Sequence, residues 1–191
     1  MGAKWWSISG GSSPGYFEGP NIALRLIRRD DAEYVHELRS NPTYNLYLSK
    51  VHGTAEDQRQ WIENYKVRER AGTEFYYVIE RRDRVRCGLV RLYNIHANEF
   101  TWGSWILDHN KPRKAALESA VISLGIGFEH LSKSFAHVDV NVGNIRAEGF
   151  YRRFGMQEVG ADDREINFLY SRERFRADLD SHMAVLAEET S

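Results

Sequence analysis

The sequence predicts an α/β domain: a mixed, mostly antiparallel, twisted sheet with helices on both faces. Two patterns point there. Residues 74–107 hold three consecutive strand-like runs with short connections, and residues 115–171 alternate between helical and strand periodicity. The length of 191 residues, set against about 150 residues per domain, predicts a single domain over 21–191, preceded by a flexible Ser/Gly-containing leader over 1–20.

Residues 22–27 open the sheet as a short run of mixed apolar and basic residues. Asp30 with Glu33 predicts a helix start, Val35 and Leu38 share a face, and Asn41-Pro42 ends the helix because a residue before proline avoids helical dihedrals. Thr54 with Asp57 begins a second helix that carries Trp61, Ile62 and Tyr65 on one side and stops near Gly72. Residues 74–80 and 85–93 form a hairpin across the charged turn 81–84. Residues 100–107 are a third strand, in which Gly103 predicts a bulge or a close backbone approach.

Helical spacing over 115–132 is apolar around much of its girth, which predicts a buried central helix. A strand over 135–142 follows, and then a short helix capped by Asn144 and terminated by Gly155. Strands over 156–160 and 166–171 and a final amphipathic helix through Phe175, Leu179, Met183 and Leu186 complete the order.

Composition narrows the function. A net charge of −1 excludes binding to nucleic acid through a bulk positive field. The apolar stretch 119–128 has ten residues, against roughly 20 needed to span a bilayer. The N-terminal residues do not read as a signal peptide. One cysteine, Cys87, supplies neither a disulfide nor a multi-thiolate metal site, so the expectations are a cytoplasmic protein without a metal.

Two segments carry chemistry. Lys111, Pro112, Arg113 and Lys114 sit at the start of the buried helix, ahead of Ala115 and Ala116. Cations there are unfavourable without an anion, and a strand-loop-helix unit that presents N–H groups is a phosphate site. The second segment runs from Asn144 through Ala147 to Tyr151 and Phe154-Gly155. Two helical turns place an amide, a small gap and a phenol along one groove.

With these residues in place, the chain over 21 to about 168 resembles the GNAT superfamily of acyl-CoA-dependent N-acyltransferases. Asn144, Ala147, Tyr151 and Phe154-Gly155-Met156 match its Asn-x-x-Ala-x-x-x-Tyr pattern. In its Arg/Gln-x-x-Gly-x-Gly/Ala loop, Lys111 stands at the first position, Ala116 at the last small one, and Lys114 replaces a glycine. Glu118 fits an acidic position just inside the helix.

The resemblance implies acetyl-CoA as co-substrate, a small-molecule amine as acceptor, and direct attack without a covalent enzyme intermediate. It implies pantetheine contacts at Trp105, Ile106 and Leu107, with Tyr151 as the acid that protonates the leaving sulfur. Glu99 is the expected base, and His96, Asp108, His109 or a water chain remain open. The acceptor should meet aromatic residues among Tyr34, Tyr44, Tyr47, Trp61, Tyr65 and Tyr76. Similarity of the 102–106 strand and the 115–120 helix start to amino-sugar GNAT proteins implies an amino sugar. Alternatives are a peptide N-terminus, or a non-catalytic CoA-binding scaffold in which the loop has lost its glycine. A homodimer is compatible with either reading.

Overall fold

The computed structural model describes residues 7–8, 15–47 and 53–188. Among them nine strands form one sheet: β1 (Ser7–Ile8), β2 (Tyr16–Glu18), β3 (Ile22–Leu26), β4 (Phe75–Arg81), β5 (Arg86–His96), β6 (Glu99–Leu107), β7 (Phe135–Asn141), β8 (Gln157–Ala161) and β9 (Glu165–Ser171). Six helices accompany them: α1 (Ala32–Ser40), α2 (Pro42–Asn45), α3 (Ala55–Arg70), α4 (Ala115–Gly125), α5 (Ile145–Phe154) and α6 (Arg172–Ala187). The strand order is β1-β2-β3-β4-β5-β6-β7-β9-β8. Every pairing is antiparallel except β6 with β7, the pair that a helical crossover through α4 must join.

The predicted mixed sheet with helices on both faces is the observed one. One face is covered by α4, α5 and α6 over a core that includes Phe100, Trp102, Val121, Leu124, Val138, Tyr151 and Phe168. On the other, Val35 and Leu38 of α1 and Ile62 and Tyr65 of α3 pack on Tyr76, Val78 and Leu89. No helix among the described residues is long and apolar enough to cross a membrane.

The predicted leader is corrected where it is described. Phe17 is 0% exposed in the main core, and Tyr16–Glu18 pairs with β3 through the register Phe17↔Leu24. A single large aromatic side chain gained enough burial to order this segment; residues 1–6 and 9–14 lie outside the described residues.

Local signals explain most boundaries. Thr54 and Asp57 form the reciprocal capping box expected of them, and Asn144 accepts from the Ala147 N–H at 3.2 Å. The first helix starts differently: a 3-10 turn, Arg29–Asp31, precedes it, and Asp31 rather than Asp30 is the anchoring carboxylate. Asp31 is buried, meets Arg25 through two hydrogen bonds of 2.7 and 2.8 Å, and also pairs with Arg86.

Burial alone would raise the Asp31 pKa, but the Arg25 hydrogen bond, the Arg28 N–H and the two guanidinium charges outweigh it and hold the carboxyl below its ordinary value. A depressed folded-state pKa gives stability that is present above about pH 4 and lost as pH falls through the folded value. Asp31→Asn is therefore expected to cost about 3 kcal/mol at neutral pH. The gap in Tm to the parent chain should narrow in acid below pH 4, as read by calorimetry; a constant gap would contradict the assignment.

Candidate active site

The site begins with a split in the sheet. β6 and β7 pair only at Glu99↔Phe135, Phe100↔Ala136 and Thr101↔His137. Beyond Thr101 the two strands part, and the edge of β6 from Trp102 to Leu107 is left without a β7 ladder. Ser104, with φ of +47°, sits where the β5·β6 register shifts between Leu89 and Arg91. That bulge lies one residue past Gly103, which was the predicted position, and it turns the end of β6 away from β7.

At the open end of the split is a cavity of about 500 Å³. The residues expected there and found there are Trp105, Ile106, Leu107, Lys111, Ala116, Asn144 and Ala147. Trp105 and Phe150 form an aromatic wall, their ring centroids 4.9 Å apart. Trp105 is fixed from behind by its indole N–H, which donates to Ser119 Oγ at 3.1 Å, and Trp102 donates likewise to Ser123 Oγ at 2.8 Å. Both serines lie on α4, so the strand and helix that frame the cavity are locked together through polar groups that would otherwise be buried alone.

Arg146 and Arg153 also line the cavity, and reading by motif missed them. They are seven residues apart on α5, hence on one face with Phe150 between them; that spacing was the available signal. Among the described residues neither they nor Lys111 forms a salt bridge, whereas neighbouring Arg152 is held by Glu148 and Glu158. Three such cations beside the first turn of α4, whose N–H groups lack intrahelical partners, make an anion-attracting wall.

Pro112, Arg113, Lys114 and Ala115 belong to the loop and helix start but do not line the cavity. Asn110 does not cap the helix: its N–H donates to Asp108 Oδ1 at 2.7 Å in a turn, and the helix starts after Lys114. Lys114 has φ of +61°, which is why a glycine suits this position. Its ammonium points away from the cavity and donates to the carbonyls of Val185 and Glu188 at the end of α6. Cation-to-carbonyl bonds at a helix C-terminus offset the backbone strain. Lys114→Gly should leave overall stability within about 1 kcal/mol, yet speed amide exchange over 184–188. Unchanged exchange there would contradict this account.

Tyr151 is 6% exposed, packed against Trp102, Trp105 and Phe168 at centroid distances of 5.9, 6.4 and 5.8 Å. It is not among the residues that line the cavity, and its hydroxyl makes no hydrogen bond among the described residues. Burial first, then the charge of Asp139 and the proximity of Tyr93, push its pKa well up. The phenol is therefore a proton donor at any physiological pH.

Glu99 is not brought to this site. It lies at the closed end of the split, eight residues from Leu107, or roughly 26 Å along an extended strand. Its carboxylate is engaged by His137 at 3.0 Å and His96 at 3.3 Å. The His137 hydrogen bond, with both histidine charges, lowers its pKa and makes it a weaker base. Glu99 does not line the cavity, so the geometry lends no support to the expectation of Glu99 as the base. Asp108 is also spoken for: it is buried and accepts from Tyr34 Oη at 2.8 Å as well as from Asn110.

Of the aromatic residues expected to meet an acceptor, Tyr44 and Tyr47 line the cavity, with Thr43 and Leu46 beside them. Tyr65 and Tyr76 are fully buried; Tyr65 Oη accepts from the Tyr76 N–H at 2.8 Å and serves the core. Tyr47 closes the cavity's far side, donating to Gly143 O at 2.9 Å while Asn141 Nδ2 donates to its carbonyl at 2.7 Å. Cys87 is buried and its thiol is pushed up to about 12 by burial and by Asp108, which leaves it unreactive.

Residues 21–157 match the acetyltransferase (GNAT) domain family model. No curated protein matches the chain. Among solved structures, a nucleotide-linked sugar GNAT, FdhC in its apo form, is 37% identical, with a TM-score of 0.79 over 85% of this chain and 93% of its own. A spermidine N-acetyltransferase from Vibrio cholerae, in complex with CoA and spermine, is 18% identical, with a TM-score of 0.71 over 81% and 98%. A ribosomal-protein-S5-alanine acetyltransferase from Vibrio fischeri is 16% identical, with a TM-score of 0.71 over 84% and 98%. The last two likenesses are of fold.

Proposed function

The chain belongs to the GNAT acetyltransferase family, and from that premise we propose that it transfers the acetyl group of acetyl-CoA to the primary amine of a nucleotide-linked amino sugar. The observation that carries the acetyl-CoA half is the cavity at the open end of the β6/β7 split, with Lys111, Arg146 and Arg153 on its wall. The acceptor half rests on the 37% identity to a nucleotide-linked sugar GNAT over 93% of that protein.

Acetyl-CoA supplies an activated thioester. The chain's own groups then have separable tasks. Lys111, Arg146, Arg153 and the first turn of α4 hold phosphates. The unpaired edge of β6 at Trp105, Ile106 and Leu107 offers backbone groups to an extended pantetheine arm, much as a strand edge accepts another strand. A backbone N–H on that edge faces the place where negative charge develops on the carbonyl oxygen. Tyr151, protonated and without a protein hydrogen bond among the described residues, is the donor to the leaving sulfur.

The left-handed backbone at Lys114 keeps the geometry that a glycine would give, and its side chain is drawn off to α6. This favours a working loop over a non-catalytic scaffold. The test is acetyl transfer from acetyl-CoA to three acceptors: nucleotide-linked amino sugars, spermidine, and peptides with an N-terminal alanine. Turnover on the sugars alone is expected. Turnover on peptides or spermidine alone would overturn the acceptor, and none with any amine would overturn the transferase reading of this cavity.

A further inference from the structure

With Glu99 held at the closed end of the split, the reaction lacks a group to receive the acceptor's ammonium, and the apex of the split holds an unassigned carboxylate. Asp139 lies two residues beyond His137, whose partner Thr101 is the last paired residue of β6. By the two-residue strand period, Asp139 shares a face with His137 and stands across the gap from Gly103. The burial pattern agrees: Ala136, Val138 and Val140 are buried, while Asp139 and Asn141 are exposed on the opposite face. Among the described residues Asp139 makes no hydrogen bond or ion pair.

Gly103 leaves the gap open. A Cβ built there would lie 3.2 Å from the Tyr93 hydroxyl. Tyr93 is oriented by Arg91, whose guanidinium sits 4.6 Å from its ring centroid, and Arg91 is itself held by Glu74 at 2.6 Å. The Tyr93 hydroxyl, like that of Tyr151, makes no hydrogen bond among the described residues. Tyr93 of β5 and Asp139 of β7 thus stand on either side of Gly103 on one face of the sheet, with Tyr151 of α5 packed on the other face, and the charge of Asp139 acts on both phenols.

We propose that Asp139 and the Tyr93 hydroxyl, across the gap left by Gly103, form the binding site for the primary ammonium of the acceptor. The inference rests on the acetyl-CoA:amine reading of the cavity, and deepens it by naming where the amine is held and which group takes its proton. One ammonium N–H bond breaks and its proton passes to the Asp139 carboxylate. The freed nitrogen pair forms the C–N bond as the C–S bond breaks. The departing sulfur takes the Tyr151 proton, and the second proton lost by nitrogen restores the phenol through solvent. Arg91, Glu74, Arg68, Glu165, His137, His96 and Glu99 are charged or titratable groups near this face among the described residues; Arg91 and Arg68 are paired with Glu74, and His137 and His96 with Glu99.

The test uses binding, so that it needs no knowledge of the acceptor. Two probes differ only in their last group: S-(2-aminoethyl)-CoA ends in an ammonium and S-propyl-CoA in a methyl. The parent chain should prefer the ammonium probe about tenfold, the value of one charge-assisted hydrogen bond. In Asp139→Asn the two should bind within about twofold of each other, with S-propyl-CoA affinity unchanged, and Tyr93→Phe should lose about threefold of the preference. Asp139 is exposed, so the variant folds. Binding of both probes without preference in the parent, or a preference that survives Asp139→Asn, overturns the ammonium site and spares the cavity reading. Binding of neither probe overturns the cavity reading and this site with it.

Discussion

Tyr151→Phe is expected to lower kcat by about 10² to 10³-fold, the range for losing a positioned proton donor, while the Kd for acetyl-CoA changes less than twofold. The split follows from where the ring sits. Its packing on Trp102, Trp105 and Phe168 is retained by phenylalanine, and the hydroxyl gives up no protein hydrogen bond among the described residues, so stability should hold within about 0.5 kcal/mol. Because burial, Asp139 and Tyr93 all raise the phenol's pKa, Tyr151 stays protonated through the working range. An alkaline fall in rate between pH 7 and 9 is therefore not its ionisation. Steady-state kinetics beside titration of acetyl-CoA decides the matter: kcat within twofold of the parent would remove Tyr151 from the donor role.

Glu118→Ala is expected to destabilise the chain by about 3 to 4 kcal/mol, a fall in Tm of roughly 6–16 °C for a domain of this size. Glu118 is 0% exposed in the first turn of α4. Its carboxylate accepts from Asn21 N–H at 2.9 Å, Asn21 Nδ2 at 2.8 Å and Ile22 N–H at 3.1 Å. Truncation strands two backbone donors and opens a void beside β3. Its position near a helix N-terminus also favours the charge, so Glu118→Gln, which keeps the shape, should recover about half the loss. The same contact ties the first turn of α4 to the sheet, so under the proposed acetyl-CoA reading the Ala variant should bind acetyl-CoA more weakly as well as melt earlier. A melting temperature within 2 °C of the parent would contradict this role.

Local chemistry made most of the fold legible. The Thr54–Asp57 box, the Asn144 cap and the Gly155 terminator each depend on a few adjacent residues, and each is found where its spacing placed it. The meander over β4 to β6 follows from aromatic and β-branched runs around short turns. What escaped depended on contacts far apart in sequence. Phe17 orders its segment only because β3 and the core receive it. The short α2 was hidden behind Pro42, which was read as a stop and is also a first helical position, with Asn41 accepting from the Thr43 N–H at 2.9 Å.

For the site, Lys111 and Ala116 were legible from the loop, Trp105, Ile106 and Leu107 from the strand before it, and Asn144 and Ala147 from the Asn-x-x-Ala-x-x-x-Tyr pattern, because motif residues on one helix face stay together in any fold. Arg146 and Arg153 share that logic and fall between the motif's fixed letters. The placement of Glu99 on β6 was right, but which end of β6 opens is a property of the β6·β7 pairing and the Ser104 bulge. Asp139 looks, in sequence, like any outward residue of an alternating strand; only the loss of its partner strand gives it a gap to face.

The most direct measurement is calorimetric titration of the protein with acetyl-CoA, with ATP as control, on the parent chain and on Arg146→Glu/Arg153→Glu. Saturable binding in the micromolar range is expected for the parent, with ATP silent and affinity lost at least tenfold in the double variant as two cations give way to anions on the cavity wall. Absence of acetyl-CoA binding to the parent, or equal binding in the double variant, would contradict the claim that this cavity holds the acetyl donor.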